Sequence, residues 1–141
     1  MNTLFKDVLI VSQNEHDVNL LKSGFLDLSL SKDTLISSSI EESIELLEER
    51  KRSKNIPEIM VLDIDQIDVE KNPLIQKIRS DADLKSMILI VLSENSQKIF
   101  DSFQINSAGV IAKPFEKESL DETLGKFKNY WRLNVRPRHN Q

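Results

Sequence analysis

The chain has no cysteine among its 141 residues, which excludes disulfides, thiolate metal sites and thiol nucleophiles. Three Gly and four Pro are too few for a fibrous or disordered chain. There is no excess of basic charge: the formal net charge is -4 and the pI is about 5.2, so nothing favours nucleic acid as a partner. The longest apolar run, MILIVL at 87–92, is far short of a membrane span. The opening MNTLFKD lacks the basic-then-apolar order of a signal peptide. His16 and His139 are the only histidines, and neither sits in a pattern suited to catalysis. A cytoplasmic domain is the expectation, with no nucleic-acid or membrane partner.

What remains is ordinary globular material, 39% apolar and 30% charged, in a length that suits one domain with a real core. We expect that domain over residues 1–134, followed by a flexible tail over 135–141. Short unalternated apolar runs occur at 8–11, 59–62, 87–92 and 110–112, with a weaker one at 34–37. Such runs suit strands of a parallel sheet covered on both faces. Between them lie helical stripes. Val18, Leu21, Phe25 and Leu28 form the first, and Ile40, Ile44 and Leu47 the second, opened by Ser39 and Glu42 in capping-box spacing. Leu74, Ile75 and Ile78 follow Pro73, a residue suited to a first helical turn. A less regular segment at 96–107 offers Ile99, Phe100 and Phe103 as its inner face, and Leu120, Leu124, Phe127 and Trp131 make the last stripe. Strand and helix thus alternate five times, which predicts an α/β, doubly wound parallel sheet with helices on both faces.

Ligands of such sheets bind beyond the carboxyl ends of the strands. The residues there are Ser12 and Gln13 after the first run, Asp63 after the third, Ser93 after the fourth and Lys113 after the fifth. Each alone is more simply a helix cap, a turn former or a surface lysine. Together they place a carboxylate, a hydroxyl and an ammonium on one sheet edge. That set suits phosphoryl transfer onto a carboxylate. Asp63 is the candidate nucleophile, since Asp forms acyl phosphates. Lys113 and Ser93 can then meet the charge spread over the phosphoryl oxygens. An Mg²⁺ ion bound by loop oxygens would normally assist.

The segments VLIVSQNE, PEIMVLDIDQID, LIVLSEN and SAGVIAKPF resemble, in order, the signature segments of the response-regulator receiver domain. The resemblance covers residues 5–130. It implies a flavodoxin-like five-stranded sheet of order 2-1-3-4-5 and phosphorylation by a histidine kinase or phosphotransfer protein. By position it makes Asp63 the phosphoacceptor, Ser93 the hydroxyl that senses the phosphoryl group and Lys113 the lysine of the family pattern. It makes Asp63, with the main-chain carbonyl of Asp65, the remaining metal ligands. The Lys-Pro peptide of KPF is typically cis in the family. With no output domain following, a stand-alone regulator is expected, an acceptor and not an enzyme. Its signal would pass to a downstream protein, and a homodimer would form through helix 4, strand 5 and helix 5. The ending KNYWRLNVRP is similar to that of small regulators that partner bacterial phytochromes, although Tyr130 and Trp131 would equally finish a helix's core face.

The chain departs from that pattern in three places. Ser12 and Gln13 stand where the family has two metal-holding acids. A unit charge a few ångströms from the ion is worth roughly 4 kcal/mol at an effective dielectric near 20, so Mg²⁺ binding is expected to be weak or absent. Glu15 or the Asp65 side chain would be the substitutes. Val110 replaces an aromatic three residues before Lys113, and Gln66-Ile67 replaces Met-Pro after Asp63. The alternative reading is therefore a pseudo-receiver, a binding module that works without phosphorylation. A flavin carrier on the same sheet would need a Gly- and Ser-rich phosphate loop after the first strand, and SQNEHD is not one.

Overall fold

A computed structural model describes residues 2–65, 67–105 and 107–134, apart from the side chain of Asn134. The expectation of a flexible tail over 135–141, and that part of the loop reading which rests on Gln66, fall outside the described residues. Five strands, β1 (Phe5–Val11), β2 (Ser31–Ser37), β3 (Ile59–Asp63), β4 (Ile88–Ser93) and β5 (Gly109–Ala112), pair in parallel in the order β2-β1-β3-β4-β5. They alternate with α1 (Glu15–Asp27), α2 (Ile40–Arg52), α3 (Pro73–Ser80), α4 (Ser96–Ser102) and α5 (Lys117–Asn134). The doubly wound five-stranded sheet expected from the sequence is the one observed.

Successive side chains of a strand point to opposite faces, and here both faces are buried, which is why the strands read as apolar runs. Val8 and Ile10 join Val61, Ile90 and Leu92 in a core beneath α1 and α5. Leu9 and Val11 join Met60, Leu62 and Val91 in a second core beneath α2 and α3. The stripes of α1, α2, α3 and α5 face these cores as their spacing predicts, with Leu47 of α2 fully buried and Ile40 and Ile44 packed against the same core. Ser39 caps α2 by accepting the Glu42 N–H at 3.0 Å, and Pro73 opens α3.

The fourth helix corrects the sequence reading. Phe100 and Phe103 are 59% and 60% exposed, while Ser102 and Ile105 turn inward. The segment is a seven-residue helix followed by a 3₁₀ turn over Phe103–Ile105, and the Ser102 hydroxyl bonds the Ile99 carbonyl at 2.7 Å. A buried serine satisfied by its own backbone hides the inner face from a reading based on apolar spacing.

Helix α2 ends with Lys54 in the left-handed region at φ 56°, its N–H bonding the Lys51 carbonyl while the Asn55 N–H bonds the Arg50 carbonyl. This is the Schellman geometry that favours Gly. Lys54 is exposed, and Lys54→Gly is expected to raise stability by about 0.5–1 kcal/mol in urea denaturation. An unchanged midpoint would contradict that. Among the described residues no helix is long and apolar enough to cross a membrane.

Candidate functional site at the carboxyl edge of the sheet

Strand order reverses between β1 and its two neighbours, so a crevice opens at the carboxyl ends of β1 and β3. Register then aligns the candidate residues. Asp63 ends β3 opposite Leu92, and Ser93 ends β4 opposite Ala112. The Lys113 N–H donates to the Ser93 carbonyl at 3.0 Å, which carries the ladder one residue further. Asp63, Ser93 and Lys113 are thereby brought to one edge, together with Asp65. The Lys113-Pro114 peptide is cis.

Lys113 is the hub. Its ammonium lies 2.8 Å from Asp63 Oδ2 and 2.8 Å from Asp65 Oδ2. The other Asp63 oxygen accepts the Asp65 N–H at 3.1 Å, so the 63–65 backbone turns tightly around the first carboxylate. The Asp65 carboxylate reaches across to β4. Its Oδ1 accepts the Ser93 hydroxyl, and its Oδ2 accepts the Glu94 N–H at 3.1 Å. Ser93 is fully buried, and its oxygen is fixed further by the Asn95 N–H at 2.9 Å.

Charge follows geometry. Burial alone would raise the Asp65 carboxyl, but the bonds from Lys113, Ser93 and the Glu94 N–H outweigh it and hold it below the ordinary 3.8. Burial alone would lower Lys113, and its bonds to Asp63 and Asp65 outweigh that and hold it above the ordinary 10.5. Asp17 is a carboxylate that sequence reasoning missed. It is nearly buried in the first turn of α1, and its N–H bonds the capping Asn14 side chain at 3.0 Å. Burial pushes its carboxyl up, and the Asp63 charge adds to that against the pull of Lys113. The capping signal was present: an Asn at 14 starts the helix at 15 and brings position 17 to its inward side.

Ser12 and Gln13 occupy the end of β1 as a hydroxyl and an amide. Ser12 is buried, and its oxygen accepts the Asn14 N–H at 3.1 Å, so it serves the turn into α1. Val110 is half-buried against the β4 side of the second core. A cleft of about 360 Å³ opens in front of Asp63 and Lys113, bounded by Ser12, Gln13, Ser39 and Glu41.

A hard divalent cation would compete with the present donors for these oxygens. Mg²⁺ demands six oxygen ligands in near-octahedral geometry. Both Asp63 oxygens and both Asp65 oxygens already accept donors, and an ammonium sits between the two carboxylates. Among the described residues no three acidic or imidazole groups converge closely enough to hold a metal ion.

No protein-family model matches the chain, and no curated protein matches it. Solved structures do. A phosphorylated cyanobacterial phytochrome response regulator, RcpA, is 20% identical with a TM-score of 0.73, over 90% of this chain and 94% of that one. A response regulator in red light signalling of R. palustris is 22% identical with a TM-score of 0.73, over 90% and 94% of the two chains. The chemotaxis response regulator CheY4 of Vibrio cholerae is 16% identical with a TM-score of 0.67, over 86% and 98%. Likeness at these identities establishes architecture, and the architecture is the flavodoxin-like fold of response-regulator receivers.

Proposed function

We propose that the chain is a response-regulator receiver that accepts a phosphoryl group on Asp63 from a sensor histidine kinase or phosphotransfer protein. The observation that carries this reading is the Asp63 carboxylate itself. It ends β3 beside a cleft wide enough for a donor side chain and is held 2.8 Å from an ammonium, with a hydroxyl on the same edge. In the transfer, an Asp63 oxygen bonds to phosphorus as the bond from phosphorus to the donor's imidazole nitrogen breaks, its electron pair leaving with the imidazole. Lys113 meets one phosphoryl oxygen, and the Ser93 hydroxyl and Glu94 N–H are donors for the others. The chain is an acceptor and not an enzyme.

Mg²⁺ contributes weakly or not at all in this reading. The ligands left by the family pattern are the Asp63 carboxylate and the Asp65 main-chain carbonyl, with Ser12 and Gln13 supplying no charge. Output is a protein–protein contact, to a downstream protein or to a second copy through α4, β5 and α5. The exposed Phe100 supports an apolar contact there. The setting is cytoplasmic, with no nucleic acid and no membrane involved. A second reading, a pseudo-receiver that binds partners without phosphorylation, is favoured by one feature: Lys113 already pairs with two carboxylates.

Intact-mass measurement separates the two. After incubation with acetyl phosphate and Mg²⁺, the protein is expected to gain one phosphoryl mass, and Asp63→Asn is expected to gain none. No gain in the unaltered protein establishes the pseudo-receiver reading instead.

A further inference from the structure

We propose that the Ser93 hydroxyl, the Glu94 N–H and the Lys113 ammonium form an oxyanion cradle whose resident ligand is the chain's own Asp65 carboxylate, a latch that a phosphoryl group on Asp63 must displace. The displacement rests on the receiver reading above; the occupied cradle rests on geometry alone.

Three donors of different kinds, from two strand ends and the turn between β4 and α4, meet one two-oxygen anion. The Ser93 hydroxyl bonds Asp65 Oδ1, while the Glu94 N–H at 3.1 Å and Lys113 at 2.8 Å share Oδ2. A hydroxyl, a main-chain N–H and an ammonium converging on one point are donors suited to a phosphate or sulfate oxygen set. The carboxylate is delivered there by its own backbone, whose N–H is tied to Asp63 Oδ1 at 3.1 Å. It is therefore a tethered competitor at high local concentration.

The latch also has somewhere to go. Asp65 borders a second cleft, of about 590 Å³, lined by Asp68, Val69, Asn95 and Lys98. The Lys98 ammonium there donates to the Ile67 carbonyl. A displaced Asp65 side chain would turn toward that cleft, which also holds the Asp68 and Asp101 carboxylates beside Lys98.

An external anion then binds only the fraction of molecules whose cradle is free, and its apparent affinity falls by that fraction. The test is a sulfate titration followed by the amide resonances of Ser93, Glu94 and Lys113. Asp65→Ala is expected to bind sulfate at least about tenfold more tightly than the unaltered protein, with the Glu94 amide moving saturably. Asp17→Asn removes a neighbouring charge without touching the cradle and is expected to gain much less. If Asp65→Ala does not fold, Asp65→Asn carries the same comparison. Equal affinity in the unaltered protein, an equal gain in Asp17→Asn, or a Glu94 amide that stays still in the Asp65 variants would each overturn the latch. Acetyl phosphate labelling is read separately by mass. A chain that never gains a phosphoryl group ends the acceptor reading, while sulfate still decides the latch.

Discussion

Lys113→Met is expected to cost about 2–4 kcal/mol of stability at neutral pH, because it leaves two carboxylates facing each other with no cation between them. The three side chains are only 12% to 16% exposed, so water screens the remaining repulsion poorly. The upper range for a fully buried broken pair is not reached, since some solvent does enter. The pH dependence fixes the sign. The Asp65 carboxyl is held below 3.8 in the fold, so its contribution is present above 3.8 and is lost as pH falls through the lowered value. Lys113 is held above 10.5, so its contribution is present below 10.5 and is lost as pH rises through the raised value. The gap between the protein and Lys113→Met is therefore widest between those limits and closes in acid and in alkali. Urea denaturation across that range reads it directly. A gap that does not vary with pH would mean that the methylene stem of Lys113, and not its charge, holds the edge together.

Trp131→Ala is expected to cost about 3–5 kcal/mol, the range for truncating a large buried aromatic. Trp131 is 1% exposed and is the largest fully buried side chain of the described residues. Its ring meets Phe5 edge-on at 5.3 Å between centroids and Phe127 at 5.3 Å in a tilted pair. It fastens the last turns of α5 to the start of β1, the strand that carries the site's opening loop. The denaturant midpoint should drop while the slope stays constant. A loss under about 1 kcal/mol would mean that α5 frays there without consequence. Of the two aromatics near the chain's end, Trp131 finishes the core face and Tyr130 lies outward at 59% exposure, so the short resemblance to phytochrome-partner endings is not needed to explain the tryptophan.

Sheet, helix order and the meeting of Asp63, Ser93 and Lys113 were legible because each rests on a one-dimensional signal. Apolar runs mark doubly covered strands, and the residue after a run must lie at a carboxyl end. The role of the Asp65 side chain was not legible in that way. The sequence offers Asp65 only as a metal ligand, through its main-chain carbonyl or as a substitute side chain, but a turn at 63–65 aims the carboxylate at the neighbouring strand, and that depends on a register no local pattern encodes. Asp17 was hidden similarly, as an acid in a helical first turn where acids are common for dipole reasons alone. Phe100 and Phe103 misled in the other direction. Apolar spacing suggested a buried face, while the rotation of α4 is set by the inward Ser102 and Ile105.

The most direct test of the receiver reading is the amide spectrum recorded with acetyl phosphate and Mg²⁺. Phosphorylation of Asp63 is expected to shift the amides of Asp65, Glu94 and Lys113 together, since the phosphoryl group takes the place of the Asp65 carboxylate between Ser93 and Lys113. Asp63→Asn should leave all three where they are. A spectrum of the unaltered protein that does not move at millimolar Mg²⁺ would contradict phosphoryl transfer to this chain.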